Sequence, residues 1–339
     1  MKKYVVAVVG ATGAVGEELF SLLEERNFPV HEIIPLASTR SIGRSVQFKG
    51  KEIAVVELTE EVFKKMGVEI AFFSAGGSVS EKYAPFATKA GAVVIDNTSF
   101  FRMNPDVPLV VPEVNPEDIA LWKKTGIISN PNCSTIQMVQ VLKPLHDAFK
   151  ITRVDVSTYQ AVSGAGKKGM EELVTQMRHF FDFTLKDCNP KAFAHQIALN
   201  VIPHIDIFMD NGYTKEEMKM IKETAKIMHS DFPISATCVR VPVLRSHSES
   251  LSIHFETTPS VKEIHSVLSQ APSVVLIDDP NQHQYPMPII ATDTDQTYVG
   301  RVRKDVFDSH IAHLWCVADQ IRVGAATNAI RIAESFIQS

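Results

Sequence analysis

The stretch YVVAVVGATGAVGEELFSLLEER, Tyr4–Arg26, decides the fold. Tyr4–Val9 is an unbroken run of apolar and aromatic residues, the pattern of a strand covered on both faces. Gly10-Ala11-Thr12-Gly13-Ala14-Val15-Gly16 follows at once, and Ala14–Arg26 then reads as a helix with Leu19, Leu22 and Leu23 on one stripe. Strand, glycine turn and helix in this order open a dinucleotide-binding unit. The glycines let backbone approach a pyrophosphate, and the helix N-terminus attracts its charge. The spacing is a G-x-x-G-x-x-G variant of the fingerprint. It makes Gly10, Thr12, Gly13, Ala14, Val15 and Gly16 candidate cofactor contacts.

The next strand, Glu32–Ser38, selects the cofactor. Sites specific for NAD place an acid at its end to hold the ribose 2′-hydroxyl. Here the chain continues Leu36-Ala37-Ser38-Thr39-Arg40-Ser41 with no acid. Arg40 with the hydroxyls of Ser38 and Ser41 suits a 2′-phosphate, so the expected cofactor is NADP. Gln47–Val56 reads as a hairpin around Gly50. Glu69–Ser74 and Ala92–Asn97 are further strands, separated by a helix over Ser80–Ala90 that stops at Gly91. Ser74-Ala75-Gly76 is a small-residue loop at a strand's carboxyl end and a candidate cofactor wall. No Y-x-x-x-K occurs, which excludes a Tyr/Lys short-chain dehydrogenase. Alternation of strand and helix predicts a Rossmann-type, doubly wound α/β sheet.

The character changes after Cys133. Thr152–Ala161, Ser235–Leu244, Ser248–Thr257, Val274–Asp279, Thr297–Arg303 and His310–Ala318 read as strands, several of them alternating. That predicts an α+β domain on a mixed or antiparallel sheet with one open face. Asp278–Pro288 reads as loop. Gly324–Ile337 reads as a final helix. The expected division is a nucleotide-binding domain over 1–132, completed by 324–339, and a catalytic and dimerisation domain over 133–323.

Net charge is −5, with no long Lys/Arg run, so no nucleic-acid or membrane surface is expected. Lys2 and Lys3 before an apolar run imitate a signal peptide, but the run ends at Val9. No stretch approaches a membrane span. Four cysteines without a C-x-x-C indicate neither a zinc site nor a disulfide framework, and His310 with His313 lacks a third ligand. A cytoplasmic protein without a metal is expected.

Gly126–Ser129 reads as a short strand, after which Asn130-Pro131-Asn132-Cys133-Ser134-Thr135 opens a helix toward Leu142, with Pro144 near its end. A thiol at a helix N-terminus is favoured as thiolate by backbone N–H groups and the helix dipole. Cys133 is therefore the candidate nucleophile, whereas Cys188, Cys238 and Cys316 read as ordinary small residues. Thr214 with Glu217 fits a capping box before the helical run Met218–Met228, and glutamine at 217 would serve that box equally well. Glu216 and Lys219 then share a helix face.

At this point the chain resembles the aspartate-semialdehyde dehydrogenases over nearly its whole length. The resemblance rests on GATGAVG (Gly10–Gly16), DNTSFFR (Asp96–Arg102), VPEVN (Val111–Asn115), NPNCSTIQ (Asn130–Gln137) and STYQAVSGAG (Ser157–Gly166). It continues through EEMK (Glu216–Lys219), RVPVLRSHSES (Arg240–Ser250) and GAATNA (Gly324–Ala329), all in the family's order. It implies Cys133 as acyl-enzyme nucleophile, Gln160 as the residue orienting the thioester, and His247 as an acid/base titrating near neutrality. It implies Arg240 on the substrate carboxylate, Glu216 on its amine, and Arg102 with Lys219 on phosphate. Thr12–Val15, Arg40, Ser41, Ser163, Gly164 and Asn328 would touch NADP. The implied reaction joins L-4-aspartyl phosphate and L-aspartate 4-semialdehyde through a cysteine thioester, with inorganic phosphate as co-substrate, in lysine, diaminopimelate, threonine and methionine biosynthesis. A homodimer through the second domain's sheet is implied as well.

Three alternatives compete with this reading. N-acetyl-γ-glutamyl-phosphate reductase uses the same chemistry with an H-P-G-C-Y-like nucleophile context. Glyceraldehyde-3-phosphate dehydrogenase has a C-T-T-N-like one. A non-enzymatic NADP-binding sensor would lack a nucleophile, base or clamp.

Overall fold

A computed structural model describes residues 2–338. The chain forms two compact units, one of residues up to 132 together with those from 325 onward, the other of residues 133–324.

The first unit opens with β1 (Tyr4–Val9), α1 (Ala14–Glu25), β2 (Val30–Ala37), the hairpin β3 (Ser45–Phe48) and β4 (Lys51–Ala54), and β5 (Val56–Glu57). It continues with α2 (Val62–Lys65), β6 (Ile70–Phe73), α3 (Gly77–Lys89), β7 (Val93–Asp96) and β8 (Ile127–Ser129). Strands run in the order β5-β2-β1-β6-β7-β8, every pair parallel. Val6–Val9 and Ile70–Phe73 are buried, which is why they read as continuous apolar runs. One face of the sheet packs Val6, Val8, Phe72 and Ile95 with Leu19 and Leu23. The other packs Ala7, Val9, Phe73 and Val94 with Phe63 and Ala87.

The second unit holds α4 (Cys133–Phe149), β9 (Ile151–Gln160), α5 (Gly166–Phe181), α6 (Lys215–Met228), β10 (Ile234–Arg240) and β11 (His247–Phe255). It adds α7 (Val261–Gln270), β12 (Val274–Leu276), α8 (Pro288–Ala291), β13 (Thr297–Lys304) and β14 (Ile311–Ala318). Its sheet order is β10-β9-β11-β14-β13-β12. The β10/β9 and β12/β13 pairs are parallel and the rest antiparallel, so the sheet is mixed. The last helix, α9 (Thr327–Gln338), follows a π-helical turn over Arg322–Ala326 and returns to the first unit's core through Ala329, Ile330 and Ile332.

Several expected boundaries shift. Pro144 does not end its helix: α4 continues to Phe149, because the turn beyond Pro144 carries the fully buried Leu145. The strand expected over Ser235–Leu244 stops at Arg240, and 241–246 form the turn that delivers His247. Within Asp278–Pro288 the chain makes a short 3₁₀ turn, Pro280–Gln282. Among the described residues no helix is long and apolar enough to cross a membrane.

Candidate active site

In the first unit, Gly10 has φ +91°, and a Cβ there would meet the backbone of Ser74 and Ala75 at about 3.0 Å. A Cβ on Gly16 would collide with the Gly10 carbonyl. The turn therefore needs its first and third glycines for conformation and for close strand–helix packing. Gly13 is the residue before α1, and Ala14 and Val15 begin it. The chain after β2 makes a 3₁₀ turn, Thr39–Ser41, entered from Ser38, with Arg40 exposed. Ser41 Oγ lies 3.3 Å from Thr12 Oγ1, so the glycine turn and the Arg40 turn meet. Asn328 is buried; its amide donates to Asn130 Oδ1 (2.7 Å) and to the Val110 carbonyl (3.0 Å), while its own Oδ1 has no partner. An orphaned acceptor on Asn328, two glycines with no room for a side chain and the exposed Arg40 beside Ser38 and Ser41 fit a dinucleotide with a 2′-phosphate, while Glu57 at the same strand end is held by the Thr39 hydroxyl at 3.0 Å. Arg102 is also in this unit. Its Nε and Nη2 donate to the carbonyls of Asn130 and Asn97, both at 2.9 Å, in a turn organised by the buried Asp96.

In the second unit the site gathers at one end of the sheet. Parallel register sets Arg240 opposite Gln160 at the carboxyl ends of β10 and β9, and the antiparallel β11 begins beside them with His247. Ala161 ties two of these groups together. Its carbonyl accepts from Arg240 Nη1 at 2.7 Å and its N–H donates to His247 Nδ1 at 3.0 Å. A Cβ on Gly164 would stand 2.7 Å from Arg240 Nη1 and 3.2 Å from His247 Nε2, so the guanidinium and imidazole converge on this glycine. On the far side, a Cβ on Gly324 would be 2.6 Å from the Cβ of Cys133, the first residue of α4.

The imidazole does not match the sequence-based expectation. His247 is fully buried, and burial, reinforced by the Arg240 charge, holds it neutral well below the usual imidazole value. Because Nδ1 accepts the Ala161 N–H, the single proton of the neutral ring sits on Nε2, which has no partner among the described residues. His247 thus presents an N–H donor at Nε2, and burial disfavours its charged form. Burial lowers the Arg240 guanidinium, while negative charge on Glu216 and Cys133 opposes that shift.

Gln160 Nε2 donates to Glu216 Oε1 and Thr158 Oγ1, each at 3.3 Å. The other oxygen of Glu216 takes Lys219 Nζ at 3.0 Å, and Asp206 takes the same ammonium at 2.7 Å. Burial alone would lower Lys219, but the two carboxylates raise it. Lys219 is thus already doubly paired. Asp206 lies outside every motif, and only a three-dimensional neighbour relation could have revealed it.

The capping box exists: Thr214 N–H donates to Glu217 Oε2 at 2.7 Å and Glu217 N–H to Thr214 Oγ1 at 3.3 Å. Glu217 Oε1 also accepts the Cys238 N–H at 3.0 Å, fastening α6 to β10. This corrects the expectation that glutamine serves equally, since an amide has one acceptor oxygen for two buried N–H groups. Glu217→Gln should cost about 1–3 kcal/mol, the scale of one unsatisfied buried donor. Chemical denaturation checks this; an unchanged midpoint would remove the Cys238 fastening from the account.

Glu249 was also missed. It is fully buried two residues after His247 beside Gln137, and burial, opposed by the Gln137 side chain, pushes the carboxyl well above its usual range. The period of two along β11 puts it on the face of His247, and that much was readable from the sequence.

Two family descriptions match the chain: the semialdehyde dehydrogenase NAD binding domain over residues 5–122 and the semialdehyde dehydrogenase dimerisation domain over 142–323. The aspartate-semialdehyde dehydrogenase of Campylobacter jejuni is 66% identical over 337 residues, 99% of this chain and 98% of that one. That of Aquifex aeolicus is 56% identical over 339 residues, 99% and 98%. The crystal structure of aspartate semialdehyde dehydrogenase II from Vibrio cholerae complexed with ASA superposes with a TM-score of 0.96 at 46% identity, covering 100% of this chain and 99% of that one. The enzyme from Candida albicans with NADP does so at 0.75 and 27% identity, covering 99% of each.

Proposed function

This chain belongs to the aspartate-semialdehyde dehydrogenase family, and from that premise we propose how its residues divide the reaction. The activity is the reversible, NADP-dependent reductive dephosphorylation of L-4-aspartyl phosphate to L-aspartate 4-semialdehyde in amino-acid biosynthesis. The observation that carries the assignment of roles is the convergence of Arg240 and His247 on Gly164 beside Gln160.

Cys133 is the nucleophile. Its thiolate bonds to the acyl carbon of aspartyl phosphate, the carbon–oxygen bond to phosphate breaks, and phosphate leaves with the electron pair. Arg240 receives the substrate carboxylate, which its planar fork can hold bidentately. Glu216 faces the amine while orienting Gln160, and Lys219 with Arg102 receives phosphate. When bound, NADPH supplies the hydride that brings the resulting thioester to the aldehyde level. Gly10, Thr12, Gly13, Ala14, Val15, Gly16, Ser38, Arg40, Ser41, Ser74, Ala75, Gly76, Ser163, Gly164 and Asn328 would hold the cofactor.

Both tetrahedral species place negative charge on the substrate oxygen. The Nε2–H of His247 is the donor to it. Neither species needs that proton transferred, because each collapses by expelling phosphate or the Cys133 thiolate. The reading is tested by phosphate-dependent reduction of NADP with aspartate semialdehyde; absence of turnover with this aldehyde, or turnover without dependence on phosphate, would overturn it.

Cofactor choice has its own test. Arg40→Ala should weaken NADP by about 1.5–3 kcal/mol, the scale of hydrogen bonds to a charged group, and leave NAD nearly unaffected. Fluorescence titration with both cofactors measures this, and equal weakening would reassign Arg40.

We also infer a homodimer in the cytoplasm. The outward face of the second sheet, where Tyr159 and Trp315 lie with ring centroids 5.3 Å apart, is the surface that would pair two copies.

A further inference from the structure

The long connection between α5 and α6, residues 182–214, makes a 3₁₀ turn, Leu185–Asp187, and is otherwise largely irregular. An irregular segment inside a compact unit needs partners for its backbone, and here α5 supplies them. Glu172 and Gln176 are buried one turn apart on that helix. Glu172 Oε2 accepts the N–H groups of Lys191, at 2.8 Å, and Ala192. Gln176 Oε1 accepts those of Ile197 and Ala198, both at 2.9 Å. Gln176 Nε2 donates to Glu172 Oε1 at 3.1 Å, so the two fastenings brace each other. They fix both ends of a short arch over residues 191–198.

Phe193 lies in that arch, half-buried. Its ring packs on the cluster of Val162, Leu173, Ile197 and Ile202. A Cβ on Gly169 would stand 3.1 Å from Phe193 Cζ, so the ring lies directly on α5. Its charged neighbour is Arg240, whose guanidinium carbon sits over the ring, 5.9 Å from the centroid. Beyond the arch the chain returns to the same arginine. The N–H of Ile202 donates to the Arg240 carbonyl at 2.9 Å, and the N–H of Arg240 to the Ile202 carbonyl at 2.8 Å. One segment thus pairs with the backbone of Arg240 and lays a ring against its side chain.

We propose that Phe193 is a further substrate-recognition residue, whose ring covers the Arg240 guanidinium and strengthens its hold on the substrate carboxylate. A cation is attracted to an aromatic face, and a ring standing where water would stand lessens the screening of any ion pair the cation makes. Selectivity for a substrate that carries a carboxylate then depends in part on an apolar side chain. The inference rests on the role given above to Arg240.

The test uses the full-length enzyme, assayed for phosphate-dependent oxidation of aspartate semialdehyde. Phe193→Leu keeps an apolar side chain on the α5 cluster and removes the ring. It should raise KM for aspartate semialdehyde about five- to thirtyfold, the range for a desolvated cation over an aromatic face. Its kcat and its KM for phosphate should stay within about twofold of wild type, because phosphate is received by Lys219 and Arg102. Phe193→Tyr keeps the ring and should bring KM for the aldehyde back to within about threefold. Should the leucine variant fail to fold, Phe193→Met takes its place with the same expectation. A folded Phe193→Leu or Phe193→Met with KM for the aldehyde within about twofold of wild type overturns the proposal. So does an equal rise in both KM values, a fall in kcat at unchanged KM, or a loss that Phe193→Tyr does not reverse. If Arg240→Lys raises KM for the aldehyde while Phe193→Leu does not, this inference alone fails; if Arg240→Lys leaves it unchanged, the assignment of the carboxylate to Arg240 fails.

Discussion

Cys133→Ala is expected to lower turnover by roughly 10⁴-fold or more, the scale on which a covalent nucleophile is missed. The substituted residue is the first of α4, and its loss removes the sulfur to which the acyl group is assigned. Nothing in the glycine turn of the first unit changes, so NADP should bind with its wild-type affinity. Wild-type enzyme given aldehyde and NADP without phosphate should accumulate an acyl adduct on Cys133, read by mass spectrometry of proteolytic fragments. Cys238 and Cys316 are poor competitors because burial pushes both thiols well above their usual range. An adduct on either of them, or full activity in the alanine variant, would end the thioester mechanism as assigned.

His247→Asn should cost roughly 10²–10³ in turnover, the range for losing one preorganised donor to a developing oxyanion. The pH dependence separates this role from acid/base catalysis. A buried imidazole held neutral well below its ordinary value of 6.5 gives no activity limb around neutrality. Wild type and variant should therefore share the same profile between about pH 6.5 and 8, with the variant uniformly lower. Stability carries the opposite signature. The folded-state value lies below the unfolded one, so the unfolded chain binds the extra proton first. The His247 contribution is fully present above 6.5 and is lost as pH falls below it. Wild type should lose stability on acidification over that window more steeply than His247→Asn. A neutral activity limb that disappears with the histidine would show an imidazole that titrates in the working range.

Much of the fold was legible because its signals are local. The run Tyr4–Val9, the turn at Gly10 and the leucine stripe of α1 lie within about two dozen residues, and each follows from backbone sterics or burial. The strand expected over Ser248–Thr257 is likewise present as β11, with Leu251, Ile253 and Phe255 buried. What was not legible is what depends on tertiary neighbours. The helix expected toward Leu142, with Pro144 near its end, runs on to Phe149 because burial of Leu145 outweighs the missing hydrogen bond. The strand ending at Arg240 looked longer because Val241 and Val243 are apolar, yet they serve the turn into His247. The protonation of His247 follows from a backbone N–H eighty-six residues away, which no motif announces. The second partner of Lys219 is hidden for the same reason.

The first unit is assembled from both ends of the chain, and this sets an order of events during synthesis. When residue 132 has left the ribosome, the parallel sheet has all its strands but lacks α9. Ala326, Ala329, Ile330, Ile332 and Ala333, which complete its core, are made only after the intervening unit. The nascent nucleotide-binding half must wait, with apolar surface uncovered, while the whole intervening unit is translated. The intervening unit is continuous from 133 to 324 and can close on itself first. Emergence of α9, rather than completion of the glycine turn, is then the moment at which the cofactor half becomes competent. A stop codon placed just before Thr327 would leave every catalytic side chain of the second unit encoded and still yield a chain prone to aggregate.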